Sequence, residues 1–322
     1  MTSSSPSAAL SLPLVGMLIL VAAPVMADTQ GLAVDGTVSN HGEVGSTTIE
    51  RLLTAHGLRG APYKALRDTL VADASLPGEE LAALSSHEDW RVRVTASAVL
   101  GWRTSPQLFQ AIQDATPVQA RSGRQDLRHE AFSQPNSRPA VVERLLHGSD
   151  SSAVRSGVAV NLVGKGDDWG SLTVHILAEE RSAEVRVALL WMLRGAEAQA
   201  AMDGAQLGLM DTDATVRAQA CRTVGYHPLG AELVSELLNA LDDDDGRVRA
   251  DAARSLGWLR AEEASDALVP GLVDPVPEVR LHSLRAISRL DPSGYRLVPW
   301  LGTLMDDQDS RVARLARRLH DQ

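Results

Sequence analysis

The sequence predicts an all-α solenoid of about eight to nine helix pairs, and three observations point to it. A Val-Arg pair recurs at near-constant spacing. A second apolar segment precedes each copy. Aromatic residues make up only 3% of the 322-residue chain, while Ala, Leu and Val dominate, as closely packed helices require.

Residues 245–259 carry the pattern most completely. Val248, Ala252 and Leu256 recur every four residues with Ala253 beside them, which at about 100° per residue makes one apolar stripe on a helix. Asp245 stands three residues before Val248, where its carboxylate can accept the free N–H groups of a first helical turn.

The same pattern recurs at Val92, Val154, Val185, Val216 and Val279, and decays to Val312–Ala313. From Val154 onward the steps are 31, 31, 32, 31 and 33 residues, and Val92 to Val154 is 62, which is two steps. Leu127–Arg128 supplies the unit implied between them, displaced and interrupted by Pro135. Asp89, Ser151, Ser182, Asp213 and Asp309 repeat the N-cap of Asp245, and Pro277 takes the first helical position before Val279, where its missing N–H costs nothing.

Ahead of these helices lie Leu81 and Leu84, Val141 and Leu145, Val174 and Leu177, Leu237 and Leu241, Leu268 and Leu272, and Leu301 and Leu304. Two amphipathic helices per unit cannot bury their apolar faces alone, so stacking must supply the core. With Asp before Val-Arg, small residues four and five positions on and Leu-Gly after, residues 48 to 320 resemble HEAT repeats, in the short form also seen in phycobilisome-lyase proteins. The resemblance implies a right-handed, armadillo-like helical stack. It also implies that each Arg after Val pairs with the turn Asp of a neighbouring unit.

Residues 1–27 hold no Asp, Glu, Lys or Arg, and the apolar run from Leu10 to Val25 ends in Val25–Met26–Ala27, the small-x-Ala form of a signal-peptidase site. This predicts a cleaved signal peptide, a periplasmic or secreted protein, and no stable membrane span after cleavage. Residues 28–48 read as a flexible leader, and the solenoid is expected over 49–322. The single cysteine, Cys221, takes a position where other copies have Ala253, Ala159 or Ser97, so it is expected to be a small core residue.

The net charge of −10 is uneven: residues 28–165 carry −1 and residues 166–322 carry −9. Much of the acidity falls in turns, at Asp211 and Asp213, Asp242 to Asp245, and Asp306, Asp307 and Asp309. Stacked turns would make an acidic edge, which would repel nucleic-acid phosphates. Asp242–Asp245 is not a calcium loop, because Leu241 stands where an oxygen ligand is required.

A second register lies off the apolar stripe. Six residues after the valine stand Ala98, Val160, Trp191, Arg222, Arg254, Arg285 and Arg318; ten after it stand Trp102, Tyr226, Trp258 and Arg289. Arginine and aromatic side chains are enriched at binding hot spots. Trp102, Trp191, Arg222, Tyr226, Arg254, Trp258 and Arg285 are therefore the candidate partner contacts, on an expected concave surface.

The enzymatic alternative is a metal-dependent or lyase-type repeat enzyme using His129–Glu130, in Leu127–Arg–His–Glu–Ala–Phe132. That stretch resembles the His-Glu motif of deoxyhypusine hydroxylase, a HEAT-like di-iron enzyme that needs four such dyads. The corresponding pairs here, Val94–Thr95, Ser156–Gly157, Val187–Ala188, Ala218–Gln219, Ala250–Asp251 and Leu281–His282, do not repeat it. No Gly-rich phosphate loop, Cys-x-x-Cys or Gly-x-Ser-x-Gly elbow is present either. The sequence reading is thus a monomeric, cofactor-free scaffold for another protein or an acidic peptide in the cell envelope.

Overall fold

A computed structural model describes residues 41–114, 137–148, 152–159, 169–291, 293–294 and 296–321. The expected signal peptide, most of the expected leader, the Leu127–Arg128 unit, His129–Glu130 and Val160 lie outside these residues. The chain divides into residues 1–42 and one unit, 43–322, that holds the repeats.

Among the described residues every regular element is helical. The order is α1 (His41–His56), α2 (Gly60–Ala72), α3 (Gly78–Leu84), α4 (Trp90–Thr104), α5 (Pro106–Asp114), α6 (Ser137–His147), α7 (Ser152–Ala159) and α8 (Trp169–Glu179). It continues with α9 (Ala183–Leu193), α10 (Ala198–Leu209), α11 (Ala214–Tyr226), α12 (Val234–Asn239), α13 (Gly246–Leu259), α14 (Pro277–Leu290), α15 (Val298–Leu304) and α16 (Ser310–His320). None is long and apolar enough to cross a membrane.

Helix α1 begins at His41, so the end of the stretch expected to be a leader is helical. Leu52 and Ala55 are buried, and once that amphipathic turn is seated, extending the helix backwards is propagation rather than nucleation.

The Val-Arg helices α4, α7, α9, α11, α13, α14 and α16 start where expected. Asp89, Asp213, Asp245 and Asp309 each accept the N–H two residues ahead, at 2.8 or 2.9 Å, and Pro277 opens α14. Ser182 occupies the cap of α9 without a side-chain bond. Val92, Val185, Val216, Val248, Val279 and Val312 are all buried, as are Ala220, Ala252, Leu256 and Ile287 along the same stripe. Helices α7, α9, α11, α13, α14 and α16 pack side by side in chain order, each against the next.

Their partners are less regular than the sequence suggests. Leu237 lies in the short α12, Leu241 in a 3₁₀ turn, and residues 262–273 hold only 3₁₀ turns at Glu262–Ala264 and Pro270–Val273. Pro270 would break an α-helix interior, and a unit of about 31 residues leaves little chain for a full first helix. Leu268 and Leu272 are nevertheless buried in the core that α13 and α14 share.

From α7 to α14 the arginine after the valine ties one unit to the next, Arg155 through Glu180 and the later ones through an aspartate, whereas Arg93 donates to the His87 and Glu88 carbonyls. Arg186 forks onto Asp211 at 2.7 and 2.8 Å, Arg217 onto Asp243 at 2.7 and 2.8 Å, Arg249 onto Asp274 at 2.8 and 3.0 Å, and Arg280 onto Asp307 at 2.7 Å through both nitrogens. The remaining guanidinium nitrogen donates backwards to carbonyls of its own turn, Asp243 and Asp244 in the case of Arg249. Each aspartate in turn accepts the N–H two residues on, at Asp213, Asp245, Val276 and Asp309. The arginine partners hold the carboxyls of Asp243 and Asp307 below their ordinary range; at Asp274 burial pushes upward, and the Arg249 fork with the Val276 N–H outweighs it. Six of the nine aspartates of the expected acidic edge therefore have structural roles: Asp211, Asp243 and Asp307 are ladder rungs, and Asp213, Asp245 and Asp309 are caps.

Gly225 and Gly257, which follow Val224 and Leu256 at the end of their stripes, allow close approach. A Cβ on Gly257 would lie 2.9 Å from the Cα of Ala286, and one on Gly225 2.9 Å from the Cα of Ser255. Between α9 and α11 Thr223 Oγ1 donates to the Leu190 carbonyl at 3.0 Å, and between α11 and α13 Ser255 Oγ donates to the Cys221 carbonyl at 2.7 Å, fixing helix register. Cys221 is fully buried, and burial pushes its thiol far above the ordinary range, so it is an inert core group.

This geometry gives stability predictions at three positions. Gly257→Ala should destabilise by about 1–3 kcal/mol through overpacking against α14. Gly302→Ala in α15, where nothing lies within 4 Å of the added methyl, should stabilise by about 0.5–1 kcal/mol; denaturant midpoints distinguish the two. Breaking one rung with Arg249→Ala leaves the largely buried Asp274 carboxylate unpaired and should cost about 3 kcal/mol. Arg249→Lys should recover little of that loss, because an ammonium cannot replace the fork.

Candidate functional site

The register off the apolar stripe converges over α9, α11, α13 and α14. Trp191 and Tyr226 are 50% and 51% exposed, unusual for large rings in a chain with so few aromatics. The Arg194 guanidinium lies 3.3 Å above the centre of the Tyr226 ring. Tyr226 meets Trp258 edge-on at 5.0 Å, and Arg254 covers the Trp258 ring at 4.3 Å. Such stacks hold arginines flat and rings upright, which limits the side-chain entropy lost when a partner binds.

Arg222 and Arg254 share one carboxylate. Arg222 Nε and Nη2 lie 2.9 and 2.8 Å from Asp251, and Arg254 Nη1 lies 3.7 Å from it. Asp251 is only 4% exposed, so it is a fixed anion beneath the arginine row. Beyond Trp258 the surface dips into a pocket of about 220 Å³ lined by Arg254, Trp258, His282, Arg285, Ala286 and Arg289. Burial, with Arg254 and Arg285 nearby, holds the His282 imidazole down at about 4, so it is neutral at neutral pH.

Trp102 belongs to a different place. Its indole N–H donates to Glu143 at 2.8 Å, and Arg67 lies 4.2 Å over its ring. Glu143, 2% exposed on α6, also accepts from Tyr63 at 3.0 Å, Arg67 at 3.3 Å and Gln113 at 3.2 Å. Burial raises its carboxyl, and those donors work against the rise. His147, one turn further along α6, stacks on Tyr63 at 3.9 Å and pairs through Nδ1 with the Leu58 carbonyl. Trp102 thus fills an internal polar network instead of extending the arginine row.

Six of the seven candidate contacts, Trp191, Arg222, Tyr226, Arg254, Trp258 and Arg285, lie on successive packed helices. Sequence reasoning missed Arg194, Asp251 and His282. The last two were visible as a further register, three residues after the valine: Ala188, Gln219, Asp251, His282 and Leu315. Stacking sets that position of one helix beside the sixth-residue position of the helix before, which is how Asp251 reaches Arg222.

These elements define an all-helical repeat protein. Residues 205–288 match the family model described as HEAT repeats. Among solved structures, the chain is similar to Escherichia coli YibA, with 15% identity, 78% of this chain and 82% of that chain covered, and a TM-score of 0.40. It is also similar to an engineered protein, with 18% identity, coverage of 76% and 95%, and a TM-score of 0.35. Human deoxyhypusine hydroxylase in complex with glycerol shares 17% identity, with 78% and 99% covered and a TM-score of 0.35. No curated protein matches the chain.

The buried imidazole yields a pH prediction. His282 titrates lower when folded, at about 4, than the ordinary 6.5 of an imidazole, so the folded state holds fewer protons in that window. Its contribution is complete above about 6.5 and is lost as pH falls towards 4. The melting temperature of the wild type should therefore fall relative to that of His282→Gln across this interval, measured in parallel at several pH values.

Proposed function

We propose that the protein is an exported, non-catalytic scaffold that binds another protein through the aromatic and arginine side chains of α9, α11, α13 and α14. The observation that carries this reading is the pair of half-exposed rings, Trp191 and Tyr226, held on packed helices with Arg194 lying flat on the second. Exposed aromatics beside arginine are the side chains that dominate binding energy at interfaces, and here they sit on a scaffold whose helices are fixed by ladder and core. The apolar run from Leu10 to Val25 and the Val25–Met26–Ala27 ending support placing the protein beyond the cytoplasmic membrane.

The remaining acidic groups of the turns favour the same face. With the ladder aspartates engaged internally, the acidic turns named above leave Asp242, Asp244 and Asp306 exposed to a basic partner. The arginine face offers larger rings and more closely spaced charge.

The test is affinity capture from the envelope fraction of the native host, comparing wild type with the Trp191→Ala/Tyr226→Ala double variant. A partner held by the wild type should be lost at least about ten-fold in the variant, since hot-spot truncations cost about 2 kcal/mol or more. Equal capture by both proteins would overturn the assignment.

A further inference from the structure

The cationic side chains of this face are compensated unevenly. The offset that sets the third-residue position of one helix beside the sixth-residue position of the helix before gives Arg222 a carboxylate, Asp251. The same step sets Arg254 beside His282, which is neutral, and pairs Arg285 in register with Leu315, which is apolar. Arg254 reaches Asp251 only at 3.7 Å, and its Nε is buried without an acceptor. No ion pair or hydrogen bond engages the guanidinium of Arg285 or Arg289 among the described residues.

Arg285 and Arg289 are four residues apart on α14, so they project from one face and repel each other. The position of Arg289 in the last turn suits the helix dipole. Neither Arg254 nor Arg285 has that reason. Three arginines therefore ring a pocket of about 220 Å³ with a tryptophan wall, in a protein whose formal charge is −10 and whose ladder arginines Arg186, Arg217, Arg249 and Arg280 are each paired with an aspartate.

We infer that this pocket is a carboxylate socket: Arg254, Arg285 and Arg289 receive the Asp or Glu side chains of an acidic segment of the partner, against Trp258 and His282. Guanidinium forks match carboxylates two bonds at a time, and the orphaned Arg254 Nε is a donor already partly stripped of water. Asp251 limits the socket on the side of α11, because it already neutralises Arg222. The pocket is too small for more than one or two side chains, so the segment must run across the face with only its acidic positions dipping in. This inference rests on reading the face as a partner-binding surface.

The experiment is fluorescence anisotropy with a fluorescein-labelled peptide of eight glutamates at low salt, comparing three proteins. The wild type should bind, and Arg285→Glu/Arg289→Glu should bind roughly ten-fold or more weakly. Arg59→Glu/Arg181→Glu, which changes the net charge equally at exposed sites outside the face, should stay within about two-fold of wild type. Circular dichroism checks that all three are folded. No binding by the wild type, or equal loss in both variants, overturns the socket. Tighter binding of an oligonucleotide of equal charge overturns the assignment to carboxylates.

The two readings fail separately. If the peptide is ignored while capture still depends on Trp191 and Tyr226, the socket is wrong and the surface stands. If the peptide binds through Arg285 and Arg289 while capture is indifferent to the aromatics, the socket stands and the surface reading is wrong.

Discussion

The forked Arg–Asp rung between successive repeats is the constraint on which the rest of the structure depends. The core alone is a stack of Ala, Val, Leu and Ile stripes, and apolar stripes of similar residues can slide past one another at little cost. A guanidinium that forks onto the next turn at 2.7 to 3.0 Å cannot slide without abandoning both bonds. The same aspartate holds the N–H at the start of its own Val-Arg helix, so one carboxylate sets both the spacing between units and the point where a helix begins. Thr223 and Ser255 add a second lock deeper in the stack.

This economy has an electrostatic consequence. An acidic chain with a run such as Asp242–Asp245 looks like a charged edge when read residue by residue. In the folded protein Asp243 answers Arg217 and Asp245 caps α13, so the charge seen by a partner is smaller than the formal count. The arginines divide in the same way. Those directly after valine belong to the scaffold, whereas those five residues further on stand on the open side of the stack and meet carboxylates only where Asp251 lies opposite.

Regularity weakens towards the N-terminal side. The buried Glu143 draws donors from α2, α4 and α5, so Trp102 points its indole N–H inward although its register matches that of Tyr226 and Trp258. A buried carboxylate needs its donors more than a surface needs one more ring, because leaving it unpaired would cost several kcal/mol.

The sequence by itself determined the helical class, the phase of the Val-Arg helices, their caps at Asp89, Asp213, Asp245 and Asp309, and the pairing role of the ladder arginines. Those features are local or periodic: a cap acts within one turn, and a spacing of 31 to 33 residues repeats the same contact. The tertiary structure decided what depends on the offset between neighbouring helices. It placed Asp251 under Arg222, set Arg194 on Tyr226, opened the pocket beside Trp258 and drew Trp102 away to Glu143. It also shortened the first member of one repeat to α12 and a 3₁₀ turn at residues 240–242, and reduced that of the next to 3₁₀ turns around Pro270, because the space left between Val-Arg helices, rather than the apolar spacing, limits how long those segments can be. Side chains that meet across 29 or 41 residues carry no mark of each other in the sequence until packing supplies the offset.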